Sequence, residues 1–346
     1  MKTIRDIDIK DKIVLVRTDY NVPMENGKIT SDLRIRASLP TLNYLLENGA
    51  KKIVIISHLG RPDGKPSEEF SLAPVAKAIE KLLPKEKVEF KAKNTGSFDE
   101  KSRIALLENL RFDAREEENS EDYIKEIVDF VKPDFYVQDG FAVVHRAHAS
   151  TSAVAKFLPV YAGLLVEKEV KELSGVLKDP EHPFVAVIGG SKVDDKAPLI
   201  KKFLGLADKI IVGGKIAADG YTSEDEKIYV AEDFDENIAG EKLDVGPLAT
   251  IQIAKYLEDA KTIVWNGLLG KAEDPAYATA SILTAEIIGR NQSAKSVICG
   301  GDTTGFVEEL MKEHKDLSYS LISTGGGAAL EYLSGKNLPG LAVIEK

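Results

Sequence analysis

The chain has 346 residues, 43% hydrophobic and 29% charged, which is enough for about two domains with cores of their own and too apolar for disorder as a main theme. Its net charge of −10 argues against a general nucleic-acid coat, and no run approaches the roughly 18 apolar residues of a membrane span. The start, MKTIRDIDIK, lacks the apolar stretch of a secretory signal, so a cytoplasmic protein is expected; its one cysteine, Cys299, excludes an internal disulfide or a cysteine-based zinc site.

Short β-branched runs bounded by turn residues predict strands at 13–17, 53–57, 104–107 and 135–139, then at 184–188, 210–212, 262–265, 296–299 and 319–323. Helical patterns fall between them at 37–48, 73–83, 121–131, 196–206 and 248–259. Strands alternating with helices imply parallel sheets covered on both faces, an α/β class. A long charged helix over about 163–177, followed by Pro180 and Pro183, marks a boundary between two halves.

The halves differ in chemistry. Nine of the ten arginines precede residue 147, whereas 21 of the 27 glycines follow residue 150. Guanidinium forks suit carboxylate and phosphate, and paired glycines let backbone amides approach a phosphate. In open parallel sheets ligands sit beyond the carboxyl ends of the strands, and the unusual residues fall there. The first half places Asp19 and Asn21, His58 and Arg61, Asn109 and Arg111, and Asp139 and Arg146 at its strand ends. The second half places Gly189, Gly190 and Lys192, then Gly213 and Gly214, Asn266 and Gly267, Gly300 to Asp302, and Gly325 to Gly327.

Read in order, VLVRTDYNVP (14–23), DLRIRASLPT (32–41), SHLGRP (57–62), LLENLRF (106–112), HRAHAS (145–150), VIGGSKVDDK (187–196), LDVGP (243–247), VWNGLLGKAE (264–273), GGDTTGFVE (300–308) and STGGGAALE (323–331) closely resemble phosphoglycerate kinase. The resemblance spans nearly the whole chain. It implies two doubly wound parallel-sheet domains joined by a helix, with the C-terminal tail returning to the N-terminal domain. Expected boundaries are 1–162, an interdomain helix or hinge at 163–180, 181–328, and a tail at 329–346. It also implies reversible phosphoryl transfer between 1,3-bisphosphoglycerate and MgADP, giving 3-phosphoglycerate and ATP, with hinge closure bringing the ligands into line and excluding water.

By the same resemblance the three-carbon substrate meets Asp19, Tyr20, Asn21, Arg34, His58, Leu59, Gly60, Arg61, Arg111 and Arg146. Asp19 can accept from a substrate hydroxyl or orient an arginine, or serve only as a turn residue; His58, His145 and His148 admit structural roles as well. The nucleotide meets Gly190, Lys192, Lys196, Gly213, Asn266, Glu273, Gly300, Gly301, Asp302 and Thr303, with Asp302 as the Mg²⁺ carboxylate and Glu273 on the ribose. Lys192 and Lys196, four apart, would share one face of a helix opening after Gly190. Arg34, Lys192, Gly325 and Gly326 carry the catalytic role, sharing transition-state charge without any nucleophile. Partners are small molecules only, with no nucleic acid or membrane, and a monomer is expected.

Departures cluster on the nucleotide side. The chain is shorter than the family, the loss falling between Gly214 and Leu243, which predicts a smaller domain with an open base pocket. GGK at 213–215 replaces a third glycine, Leu268 stands for the usual proline, and Cys299 precedes GGDT. Lys215 reads either as an exposed loop lysine or as a new phosphate or base contact. The alternative function is therefore a catalytically weakened phosphoglycerate-binding homologue with altered nucleotide preference. Neither a Gly-x-Gly-x-x-Gly fingerprint nor a Walker loop is present, against an oxidoreductase or P-loop kinase.

Overall fold

A computed structural model describes residues 1–344. The chain divides into two compact units. The first holds Met1–Lys168 and the described residues from Asn337 on; the second is Glu169–Lys336.

In the first unit β1 (Ile13–Arg17) is followed by a small antiparallel ribbon of β2 (Met24–Glu25) and β3 (Lys28–Ile29), then α1 (Leu33–Glu47), β4 (Lys52–Ile56), α2 (Ala73–Leu82), β5 (Val88–Lys91), β6 (Ile104–Leu107), α3 (Glu121–Val131), β7 (Phe135–Gln138) and β8 (Val160–Ala162). Six strands form one parallel sheet in the order β5-β6-β4-β1-β7-β8. The chain moves outward from β1 through β4, then returns to β7 on the other side, so its direction reverses beside β1. Helices cover both faces, which is why β4, β6 and β7 are buried along their whole length. Local sequence sets the helices: Ser120 caps α3 by accepting from the Tyr123 amide, Ile124 and Ile127 face the core, and Lys132 ends the helix in the left-handed region.

After α4 (Leu164–Lys178), across which the division falls, the second unit runs β9 (Phe184–Ile188), α5 (Val193–Leu204), β10 (Lys209–Val212), α6 (Gly214–Ala218), β11 (Ile228–Val230), β12 (Phe234–Glu236), β13 (Lys242–Val245), α7 (Pro247–Glu258), β14 (Thr262–Asn266), α8 (Thr279–Arg290), β15 (Lys295–Cys299), α9 (Gly301–Glu313), β16 (Leu321–Ile322) and α10 (Gly327–Leu333). Its parallel sheet is ordered β11-β10-β9-β14-β15-β16, and β12 pairs with β13 as a separate antiparallel ribbon. The winding reverses between β9 and β14, where a crevice opens at the carboxyl ends of the strands. Trp265, fully buried in β14, donates from its indole N–H to the Gly267 carbonyl at 2.8 Å and fixes the turn that lines this crevice.

All nine predicted strand positions fall in the two sheets, and the two-sheet α/β architecture matches the expectation. The tail is differently divided: α10 packs against α5 and stays with the second unit, and the return starts at Asn337 rather than 329. The returning α11 (Pro339–Ala342) is seated by the Gly340 amide, which donates to the Val144 carbonyl at 2.8 Å. Among the described residues no helix is long and apolar enough to cross a membrane.

Candidate active site

On the first unit, the ends of β1, β4 and β6 bring one histidine and several arginines together. Asp19 accepts from the Asn21 amide at 2.9 Å and pairs with Arg34 from α1. Asn21 in turn accepts from the Gly60 amide at 2.8 Å, tying the loops after β1 and β4. Gly60 sits at φ +63, and a Cβ there would lie 2.3 Å from the Phe70 ring, so this approach requires glycine. Asn109 donates to the Leu59 and Phe70 carbonyls and accepts from the Arg111 amide at 3.0 Å. Arg111 is thereby set to donate to the Gly60 carbonyl at 2.8 Å, with Glu117 3.1 Å from its Nε.

Charge at this site is strongly positive. Burial, then Arg17, Arg111 and Arg34, hold the His58 imidazole well below its ordinary pKa; burial, then Arg17, Arg111 and Arg146, push His148 down to about 3. Arg111 itself is lowered to about 10, first by burial. Both imidazoles are therefore neutral near pH 7, and the arginines supply the positive field that a doubly anionic ligand needs. Arg146 donates from Nε to His145 Nε2 at 3.2 Å, and Arg61 is exposed.

On the second unit, a cleft of about 540 Å³ occupies the crevice between β9 and β14. Its lining includes Gly190, Lys192, Lys196, Gly300, Gly301, Asp302, Gly326 and Gly327, together with Lys215, Phe234, Leu243, Leu269, Lys271 and Glu273 and the carboxylates of Asp195 and Asp244. The crevice floor is close-packed: Gly267 has φ +95, and a Cβ there would lie 2.2 Å from the Gly189 carbonyl oxygen. Its amide donates to Thr303 Oγ1 at 2.8 Å. Lys196 donates to Asn266 Oδ1, while Asn266 Nδ2 donates to the Cys299 carbonyl at 2.9 Å. Burial lowers the Lys196 pKa. Gly300 and Gly301 open α9, a helix of 13 residues whose first amides face the same cleft as Asp302.

A family model described as phosphoglycerate kinase matches residues 4–237 and 217–336. The chain belongs to the phosphoglycerate kinase family. It is 37% identical to the phosphoglycerate kinase of Dictyoglomus turgidum, covering 99% of this chain and 98% of that one, and 38% identical to the Roseiflexus sp. protein over the same shares. Among solved structures it resembles phosphoglycerate kinase from Coxiella burnetii (35% identity, TM-score 0.80, 99% and 98% covered) and from Pyrococcus horikoshii (28%, TM-score 0.85, 100% and 98%). Like other phosphoglycerate kinases it is an ATP-dependent kinase, and the family uses ATP and ADP with Mg²⁺. Alignment with the D. turgidum enzyme spans 398 positions, more than this chain's 346 residues, and the family match doubles back over 217–237. The longer alignment opens gaps in this chain.

Several residues carried over from family motifs take other positions. Tyr20 and Leu59 are core side chains: the Tyr20 hydroxyl meets Ser38 Oγ at 2.9 Å, and its amide donates to Ser57 Oγ. Lys192 and Lys196 do not share a helix face, because α5 begins at Val193 and Lys192 is its extended N-cap. Gly325 is buried with its amide given to Ser323 Oγ at 3.1 Å, so of the glycines at 325–327 only the latter two line the cleft. Gly213 lies beneath the lining, its amide donating to Ile188, and Gly214 takes its place. Lys215 sits on α6 rather than on a loop, 2.8 Å from Asp219. Sequence reasoning missed Arg17, Glu116 and Ser150 beneath the arginine cluster. The available signal was an arginine ending an otherwise apolar strand, IVLVR.

Proposed function

We propose that the first unit holds 3-phosphoglycerate or 1,3-bisphosphoglycerate and the second holds MgADP or MgATP, and that the chain moves a phosphoryl group reversibly between them. The observation that carries this reading is the cleft at the reversal of β9 and β14. There Lys192 and Lys196, the first residues of a long helix and the Asp302 carboxylate line one and the same cleft. A nucleoside phosphate chain needs that set, and the apolar remainder of the cleft, with Phe234, Leu243 and Leu269, suits a base.

Asp302 is the carboxylate we assign to Mg²⁺ carried on the nucleotide. Among the described residues no group of three metal-ligating side chains forms a cage for a bare ion. Mg²⁺ usually takes one or two protein carboxylates and fills its shell with water and phosphate oxygens, so the donor set fits. Glu273 is assigned to the ribose, Lys196 to the nucleotide phosphates, and Lys192 with the Gly326 and Gly327 amides to the moving group. On the first unit Asp19, Asn21, Arg34, His58, Arg61, Arg111 and Arg146 are assigned to the three-carbon acid. Charge neutralisation and alignment then do the chemistry, with proton transfer having no part in it.

A coupled assay with 3-phosphoglycerate and MgATP tests the whole reading. We expect turnover that the Lys192→Ala variant loses; turnover no greater than that of the variant would overturn it. A panel of ATP, GTP and their diphosphates defines the base preference of the shortened cleft.

A further inference from the structure

Arg17 ends β1 with its side chain wholly buried, and each guanidinium nitrogen has a partner. Nε donates to Ser150 Oγ at 2.8 Å, Nη1 donates to the Thr18 carbonyl, and Nη2 lies 3.3 Å from His58 Nδ1. Ser150 passes the constraint on: its hydroxyl donates to Glu116 Oε1 at 2.6 Å and its amide to Oε2 at 3.1 Å. Glu116 is also fully buried, 4.0 Å from Arg17 Nη2. The chain of contacts thus runs from a buried carboxylate through a serine and an arginine to one ring nitrogen of His58.

A guanidinium has donors and no acceptor. Its contact with Nδ1 is a hydrogen bond only when that nitrogen carries no proton, so the proton of the neutral ring sits on Nε2. Asp19 is the acid facing the ring, but its Oδ1 lies 3.9 Å from Nδ1, beyond hydrogen-bond distance, and the carboxylate is paired with Arg34. The other charged or titratable groups acting on His58 are Arg17, Arg34, Arg111 and His148, and none of them favours an imidazolium.

We propose that Arg17 is a positioning residue which, steered by Ser150 and Glu116, locks His58 as the neutral Nε2–H tautomer, so that His58 offers an uncharged N–H donor to a carboxylate or phosphate oxygen of the three-carbon substrate. The substrate half of this statement rests on the reading of the first unit given above; the tautomer half does not. A neutral donor has a specific consequence. His58 contributes to anion binding without taking up a proton, so its share of the affinity stays constant across neutral pH while the arginines supply the charge.

The test is nitrogen-15 NMR of the histidine side chains in the full chain, comparing the unaltered protein with Arg17→Lys and Ser150→Ala. Calorimetric titrations with 3-phosphoglycerate and with MgADP accompany each spectrum. The unaltered protein should show His58 as a single Nε2–H tautomer from pH 6 to 8. Either variant should show mixed tautomers or a His58 titration moved upward, with 3-phosphoglycerate affinity about tenfold weaker, the loss expected for one hydrogen bond. MgADP affinity should be unchanged, and a cooperative melt with well-dispersed histidine signals reports that the first unit of the variant is folded. Ser150→Ala leaves both buried charges in place and serves if Arg17→Lys does not fold. An Nδ1–H tautomer or an imidazolium at pH 7 overturns the proposal, as do variants that keep both tautomer and affinity. A locked tautomer in a protein that does not bind 3-phosphoglycerate supports the lock and overturns the substrate assignment.

Discussion

Lys196 on α5 hydrogen-bonds through Nζ to Oδ1 of Asn266 at the end of β14, so the helix that follows β9 is tied to the strand on the other side of the crossover reversal through one ammonium group. The same carboxamide donates to the Cys299 carbonyl at the end of β15. Asn266 is fully buried and orients the lysine instead of contacting bulk solvent.

Replacing Asn266 by alanine therefore removes the acceptor that aims a half-buried ammonium. Hydrogen bonds to charged groups are worth about 1.5–3 kcal/mol, so the KM for the nucleotide should rise on the order of tenfold or more. The KM for 3-phosphoglycerate should stay within about twofold, since its proposed ligands lie on the other unit. Steady-state kinetics with each substrate varied in turn checks this; an equal rise in both constants would count against the assignment.

Lys192 is exposed, extended in backbone, and makes no side-chain cap on α5. Its removal should leave the melting temperature within a degree or two. If it stabilises the moving phosphoryl group, turnover should fall about a hundredfold or more, the range seen when one transition-state donor is lost. Nucleotide affinity should change far less, because that contact strengthens only as the group transfers. Comparing kcat with the dissociation constant of MgADP separates the two outcomes.

How much of this was legible beforehand follows from what each residue does with its side chain. Central strands such as Ile104–Leu107 and Phe184–Ile188 read plainly because both faces are buried and the run is continuously apolar. The edge strands Val88–Lys91 and Ile228–Val230 did not, being short and only half-buried, with Glu89 and Lys91 interrupting the first. Motif membership located loops correctly but could not say which residue in a loop serves by side chain and which by backbone. Tyr20 and Leu59 belong to their motifs because they anchor those loops in the core. Arg17 was overlooked for the opposite reason: it sits inside a strand pattern, and its meaning depends on Ser150 and Glu116, more than 90 residues away in sequence.

Gly267 and Gly301 both line the cleft but should respond differently to alanine. At Gly267 the backbone has φ +95 and a new methyl would fall 2.2 Å from the Gly189 carbonyl oxygen, so Gly267→Ala should destabilise the second unit by about 1–3 kcal/mol and abolish nucleotide binding. At Gly301 a methyl meets nothing within 4 Å. Gly301→Ala should therefore keep its full stability, and it should even gain slightly from the helix preference of alanine. Its effect on nucleotide affinity then reads directly how close a phosphate comes to the start of α9. Thermal melts with and without MgADP distinguish the two; a stable Gly267→Ala protein would contradict the packing described.

Asp139 is buried at the end of β7, where it accepts from the Leu165 amide at 3.0 Å, and burial raises its pKa to about 8. At pH 7 the folded chain keeps this carboxyl protonated while the unfolded chain ionises it near the usual value for aspartate, about 3.9. The folded state then binds more protons than the unfolded state throughout that interval, so this residue makes stability fall as pH rises from about 4 to 8. Below that window the group is neutral in both states and contributes nothing; above it the penalty is constant. Asp139→Asn keeps an oxygen to accept from Leu165 and cannot ionise. The variant should match the parent near pH 4, and by pH 8 it should exceed it by roughly 1–3 kcal/mol, a discounted figure for a group whose burial can relax. Urea unfolding of both proteins at several pH values gives the difference directly, and a gap that does not widen with pH would show that Asp139 is ionised within the fold.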